Sequence, residues 1–471
     1  MTSKIKLHLL GFAVLILIAI FIMVATPFSA NLSTTAHFML GGIIITLGIW
    51  IFKPFNLPYA AGGLFLATFA LILGLKPAVV FSGFSQPAIW TLIPALFFGF
   101  LLQKTGLGER IAFGIVKLFK PSYANLVLAW VLIGIVLSIL TPSITVRVAI
   151  VIPIALKCCE LCNLEKGSKG NSLILLTAFA MALIPGSGWF SGLLAGPIIQ
   201  SMFINAGMEN LITFQSWSDI LFLPMMIATA IVAILGLILL KPTDPISPSI
   251  RSEIKAQVIP KISRKEYIVA VVLSSVFAMF VTSNFHGIPD VAVCLAAIII
   301  LFISGVLESK DFNTGVNWDL VIFIGMAISL GSIFFESGIS MWLSGIIVPA
   351  ISPITGNPWV FVYVITIAMF LWRFVDVAAF IPTMAIVIPI LPDIQAVYQI
   401  HPLILVAPLV MAHNAFFMAY QNIWAMMSLS ISKDRAWESK HLSLYGVVYF
   451  VACLLALTVA IPMWINAGLF G

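Results

Sequence analysis

The chain has 471 residues, of which 62% are apolar and only 8% charged. With a mean hydropathy of +1.16 it has too few polar side chains to cover a water-soluble fold, so a soluble globular domain and a disordered chain are both excluded. The net charge of +6 would raise nucleic acid as a partner for a soluble protein; in a bilayer protein what matters is where Lys and Arg fall, and no nucleic-acid partner is expected.

In chain order, a basic start at Met1–Lys6 leads into the apolar stretch Gly11–Thr26. It has a signal peptide's outline but no clear small-residue cleavage site, so it is read as a retained first span. Comparable stretches at Trp217–Leu240, Tyr267–Thr282, Val291–Val306 and Leu442–Trp464 can each cross ~30 Å of hydrocarbon as a helix. The expectation is an all-α polytopic membrane protein of about 11 transmembrane helices plus two re-entrant or interrupted helical hairpins.

Charge placement supports that layout. With a cytoplasmic N-terminus, the inner loops hold Lys4, Lys6, Lys53, the basic residues of 104–120, 157–169 and 241–265, Lys310, and those of 433–440. The outer loops Pro27–His37, Asn205–Ser216, Ser283–Gly287, Glu336–Pro358 and Asp393–His401 carry no Lys or Arg, and only Lys76 breaks the pattern. This distribution predicts a multi-pass protein of the cell inner (plasma) membrane with its N-terminus inside.

The polar stretch 241–266, with Pro242, Pro245, Pro248 and Pro260, reads as a cytoplasmic linker between a first half, 1–240, and a second, 267–471. The halves repeat landmarks in order. Ala149-Ile150-Val151-Ile152-Pro153-Ile154 recurs letter for letter as Ala385-Ile386-Val387-Ile388-Pro389-Ile390; Gln103–Gly106 matches Phe335–Gly338, Trp90 matches Trp318, and Trp189 matches Trp424. Ordered landmarks at a nearly constant offset indicate an internal repeat. An odd number of spans between the two hexapeptides makes it an inverted two-fold repeat, with hairpins at about 121–156 and 358–392.

Polar interruptions mark the candidate site. In Leu140-Thr141-Pro142-Ser143-Ile144-Thr145-Val146-Arg147, Pro142 stops one helix and Ser143 can cap the next. A helix N-terminus inside the membrane, with hydroxyls on Thr141, Ser143 and Thr145 and a guanidinium one turn in, suits an anion; a kinked helix with a snorkelling Arg147 is the bland alternative. In the partner segment, Pro382 marks the break and Thr383 takes the position of Arg147. Arg373 and Asp376 there, spaced i,i+3, read either as an internal ion pair or with Asp376 as a proton-coupling carboxylate. Gly186, Ser187 and Gly188 in the first half, and Gln421 and Asn422 in the second, occupy matching positions and line the same site, unless the glycines serve helix packing alone. His413-Asn414 reads as a buried pair or as further lining.

Cys158, Cys159, Cys162, Cys294 and Cys453 form no disulfide framework and, with no accompanying His, no metal site. No P-loop occurs, which argues against an ATP-driven pump, and no nucleophile–base or metal pattern recommends an enzyme.

Over most of its length the chain resembles the divalent anion/sodium symporter family, the solute carrier 13 type permeases. The resemblance rests on Ser143-Ile144-Thr145 followed by Pro153, where the family has a Ser-Asn-Thr hairpin tip and an apolar run ending in Pro. It rests also on Phe97–Ile111, with Lys104-Thr105-Gly106-Leu107 and Arg110, and on Trp318–Leu343. Ile144 stands where the family has Asn, and by spacing back from Pro389 the second Ser-Asn falls on Ala379-Phe380. The resemblance implies a homodimer, a transport domain moving like an elevator against a scaffold, and Ser143 and Thr145 at the substrate tip with Thr383 near the second. A Na⁺ site near Ser143, Thr145 and Thr383 is what it implies for sodium-coupled members.

The expected function is secondary transport, by symport or exchange, of a small organic anion such as a di- or tricarboxylate, with no cofactor beyond Na⁺ or H⁺ as coupling ion. The alternatives are a sulfate or other inorganic anion permease, a cation/proton antiporter working through Asp376, and a non-transporting receptor.

Overall fold

The computed structural model describes residues 3–120, 122–242, 246, 261–376, 380–433 and 436–470. Among these the regular structure is helical, with one isolated antiparallel bridge between Ile400 and Phe470. Helix α1 (Ser3–Ala25) leads into α2 (Thr34–Phe52), α3 (Tyr59–Ile72), α4 (Pro87–Thr105) and α5 (Leu107–Leu118). The first hairpin is α6 (Tyr123–Leu140) and α7 (Ile144–Leu161), followed by α8 (Lys169–Leu183), an irregular break, α9 (Ala195–Asn205) and α10 (Phe214–Leu239).

The succession then returns. Helices α11 (Arg264–Val281) and α12 (Asp290–Ile303) precede α13 (Trp318–Glu336), α14 (Ile339–Thr355) and α15 (Pro358–Trp372). The returning hairpin arm is α16 (Ile381–Val387) with α17 (Leu391–Tyr398), and then come α18 (Val406–His413), a second break, α19 (Ile423–Ser432) and α20 (Ser439–Asn466).

Among the described residues eight helical stretches are long and apolar enough to cross a membrane, accompanied by seven shorter apolar helices of 10–17 residues. Many outward side chains are large and apolar, such as Leu17 and Val24 on α1, Ile303 on α12 and Leu371 on α15. Such a surface is costly in water and natural against lipid tails. At the other extreme, α8 buries every side chain from Gly170 to Leu183, and a helix apolar on all sides belongs inside the bundle.

Local chemistry sets the helix ends. Ser122, Ser168 and Asn357 accept a first-turn N–H at the starts of α6, α8 and α15. The matched glycines Gly106 and Gly338 both adopt left-handed backbone, φ 79° and 76°, where a β-carbon would clash. Two expectations need correction, and one identity of sequence hides a difference of form. Ser263 and Glu266 form a capping box, so α11 starts inside the stretch read as linker, most of which lies outside the described residues. The loop expected at Glu336–Pro358 is largely the helix α14, the counterpart of α5. The identical hexapeptides differ in form: Pro153 lies inside a continuous α7, whereas Ile388–Ile390 tightens to a 3₁₀ turn between α16 and α17. A second proline, Pro392, follows Pro389 one turn later, removing another backbone donor.

The packing is reciprocal between halves. Helix α3 lies on α13 while α12 lies on α4; α19 lies on α7 while α9 lies on α16 and the turn after it; α10 pairs with α20. Each half is thus completed by helices of the other, which brings the hairpin tips and the two breaks to one central region.

Candidate functional site

At the first tip, Thr141 leaves α6 in extended conformation (φ −151°, ψ 131°). Its Oγ1 accepts from the Ser143 N–H at 3.2 Å, and Ser143 Oγ accepts from the Val146 N–H at 3.4 Å. Pro142 enforces the interruption, as the sequence predicts. Thr141 and Ser143 are buried, whereas Thr145, in the first turn of α7, is exposed. Its Oγ1 accepts from Trp424 Nε1 on α19 at 3.1 Å, so the tip of one half is held by the break of the other.

Arg147 is 0% exposed. Its Nη2 donates to the Gly192 carbonyl at 2.9 Å, and Nε and Nη1 have no hydrogen-bond partner among the described residues. A β-carbon on Gly186 would stand 2.2 Å from Arg147 Nη1 and 2.8 Å from the Gly192 oxygen, so glycine there makes room for the guanidinium and is more than a packing residue. No ion pair joins Arg147 to an acidic group among the described residues. The snorkelling alternative fails, because the head is enclosed. Direct contact with an anion is equally closed in this conformation: the guanidinium is a fixed positive charge one turn after the cap Ser143.

The two breaks meet. Asn414 Nδ2 donates to Ser187 Oγ at 2.7 Å, and the Ser187 carbonyl accepts from Trp217 Nε1 at 3.1 Å. Asn422 caps α19 through Oδ1, at 3.1 Å to the N–H groups of both Trp424 and Ala425. Asn414 is thus buried between the two breaks, while His413 packs edge-on against Trp424 at 5.3 Å between ring centroids. Gly188 is less constrained, its nearest would-be contact being Met226 at 3.3 Å.

The second tip is built differently. Residues 377–379 lie outside the described residues, and with them Ala379, the expected stand-in for the family's Ser. Thr383 donates from Oγ1 to Asp376 Oδ2 at 2.5 Å and from its backbone N–H to the same oxygen at 3.2 Å, and its Oγ1 accepts from Trp372 Nε1 at 2.9 Å. Asp376 thus gives the start of α16, after Pro382, the service that Ser143 gives α7. The i,i+3 reading of Arg373 needs refinement: Nη1 donates to the main-chain oxygen of Asp376, and Nη2 to the Gln421 carbonyl. Gln421 Oε1 accepts from the Met418 N–H at 2.8 Å, and its Nε2 has no partner.

Each half therefore carries one buried arginine tying its hairpin to the carbonyl of its own break: Arg147 to Gly192, Arg373 to Gln421. They differ in compensation, since Arg373 has the Asp376 carboxylate beside it. The Gly192 carbonyl and the Trp424 indole were missed from sequence, although the recurrence of Trp189 as Trp424 was a legible signal for the latter. The cysteines are all buried and unpaired, and no group of three or more His, Cys, Asp or Glu side chains among the described residues could hold a metal ion.

The long apolar helices and the interrupted helices that face one another among them define a polytopic membrane protein. Residues 8–468 match the family model described as the sodium:sulfate symporter transmembrane region, and the chain belongs to that family, the divalent anion/sodium symporters. It is similar to dicarboxylate transporter 1, chloroplastic, of Spinacia oleracea, 26% identical over 71% of this chain and 59% of the spinach protein, so the match spans little more than half of that relative. The putative malate transporter YflS of Bacillus subtilis is 25% identical, with 72% of each chain covered. The sodium-dependent dicarboxylate transporter SdcS of Staphylococcus saprophyticus is 23% identical over 83% of this chain and 84% of its own. Among solved structures, the Alcanivorax borkumensis YdaH transporter, of unusual topology, aligns with TM-score 0.57 at 14% identity, covering 93% of this chain and 100% of that one, a likeness of fold alone. These relatives are transporters, not enzymes. Na⁺ as coupling ion is compatible with the family, which indicates no cofactor.

Proposed function

We propose that the chain is a secondary carrier of small dicarboxylates that works by exchange. One observation carries the reading: a guanidinium buried completely, without an acidic partner among the described residues, in a helix whose otherwise buried first turn exposes Thr145. The Ile144 and Thr145 N–H groups of α7 and the Thr145 hydroxyl receive one carboxylate of the substrate, and Arg147 supplies the compensating charge. Gly186 gives that charge its room, while Ser187, Asn414 and Asn422 hold the opposite wall. The dicarboxylate relatives support the substrate class.

Exchange follows from the same charge. An empty site leaves Arg147 uncompensated in a low-dielectric interior, and carrying it across the membrane in that state is costly. With an anion bound the charge is balanced, so the carrier crosses loaded in both directions. Arg373, with Asp376 beside it, adds no second uncompensated charge. The remaining frame is a homodimer in the plasma membrane with its N-terminus inside, its hairpins and breaks moving as an elevator against a scaffold that includes α3, α4, α12 and α13. Asp376 serves in this frame as a helix cap rather than as a coupling carboxylate.

The test uses proteoliposomes containing the full chain, loaded with or without unlabelled succinate, and follows radiolabelled succinate entry with and without an inward Na⁺ gradient. Uptake is expected to require internal dicarboxylate and to ignore the gradient. Concentrative uptake into empty vesicles driven by Na⁺ alone would overturn the exchange reading while keeping the anion.

A further inference from the structure

On the far side of the first tip lies a partly open, mostly apolar cleft. One wall comes from the first half, with Leu140 and Pro142 of the tip and Phe190, Ser191 and Leu193 of the break; α4 closes the floor with Thr91 and Phe98. The other wall belongs to the second half, with Leu273, Phe277 and Phe280 of α11 and Asp290 and Cys294 of α12.

Three polar side chains interrupt this apolar lining. Ser191 Oγ is buried and has no hydrogen-bond partner. Thr91 Oγ1 donates to the Pro87 and Ala88 carbonyls at 3.1 and 3.0 Å, which leaves its oxygen free to accept. Asp290 starts α12, and an acidic residue there serves the helix dipole; yet this one lines the cleft, where neither Lys nor Arg accompanies it. The nearby His286 is committed, with Nδ1 accepting from the Ile288 N–H and Nε2 bonded to the Met279 carbonyl, each at 2.9 Å.

We propose that this cleft is a binding site for a small lipophilic ammonium compound. An apolar body fits between α11 and the tip, and the ammonium places its N–H donors on the Asp290 carboxylate and on the Thr91 and Ser191 oxygens. The lining agrees, since ligand pockets are mostly apolar with a few polar groups that fix orientation. The occupant touches segments of both halves at once and so clamps the first tip against α11 and α12. The site stands on its own lining and does not depend on which anion the chain carries.

The probe is 4-phenylbutylamine, with 4-phenylbutanol as its uncharged analogue, measured by titration calorimetry on the detergent-solubilised full chain. The amine is expected to bind saturably at one site per chain and at least tenfold more tightly than the alcohol. Asp290→Asn is expected to remove that tenfold preference, and Val276→Trp, which fills the cleft, to remove binding of both. Equal binding of amine and alcohol by the native chain, an unchanged amine affinity in Asp290→Asn, or no saturable binding by a monodisperse native sample would each overturn the site. The amine–alcohol comparison needs only the native chain, so it decides the matter even where a variant does not fold.

Discussion

Replacing Arg147 by Met and by Lys separates charge from shape. Arg147 lies one helical turn behind the tip, so its charge sits about 7 Å from a bound carboxylate, given ~5.4 Å per turn. At an effective dielectric constant of about 20, two unit charges at that distance attract by ~2 kcal/mol, or roughly 30-fold in affinity. Arg147→Met should therefore weaken dicarboxylate binding about 30-fold, whereas Arg147→Lys, which keeps the charge, should stay within a few-fold. Stability should move little in Met: the Gly192 carbonyl loses its partner, at about 1–3 kcal/mol. Relief of an uncompensated buried charge offsets that loss. Succinate affinity from calorimetry, alongside thermal unfolding of the purified protein, reads both quantities. Equal loss in the Lys and Met variants, or a Met variant that binds normally, would refute a charge-based role.

Gly186→Ala places a methyl 2.2 Å from Arg147 Nη1; dicarboxylate uptake should fall sharply and stability drop by about 1–3 kcal/mol, as for an overpacked core. Trp424→Phe removes the 3.1 Å bond to Thr145; substrate affinity should weaken by about 1 kcal/mol, seen as a raised KM with little change in the maximal rate. Glu308 lies in the loop between α12 and α13, and hydrogen bonds from Lys310 and Lys265 hold its carboxyl down at about 2, below its ordinary 4.5. A lowered carboxyl contributes fully above its unfolded value and loses that contribution as pH falls toward 2. The difference in unfolding midpoint between the native chain and Glu308→Gln should thus be flat from pH 5 to 8 and shrink below about pH 4.

Much of the fold was legible because one-dimensional rules govern membrane chains. Apolar length, capping residues and Lys/Arg placement act locally, and they place α10, α11, α12 and α20 within a few residues of their expected ends. The left-handed turns at Gly106 and Gly338 were equally readable, since such turns leave a glycine in the sequence. Local rules failed where neighbouring residues altered an identical segment: the hexapeptide at 149–154 continues a helix, while its copy at 385–390 yields at its proline because a second proline follows.

The sequence by itself determined an all-helical membrane protein of this family and marked the residues of both interrupted regions. Only the tertiary structure decided what those residues do. Whether Arg147 snorkels, pairs or stays enclosed depends on Gly186 and Gly192, about forty positions away, and on there being no carboxylate paired with it among the described residues. Likewise Asp376 became a cap for Thr383, and Trp424 a donor to Thr145, through contacts that exist only once the two halves close on each other. The physical reason is that burial and partner choice are properties of three-dimensional neighbours, whereas span length and helix ends are properties of the chain itself.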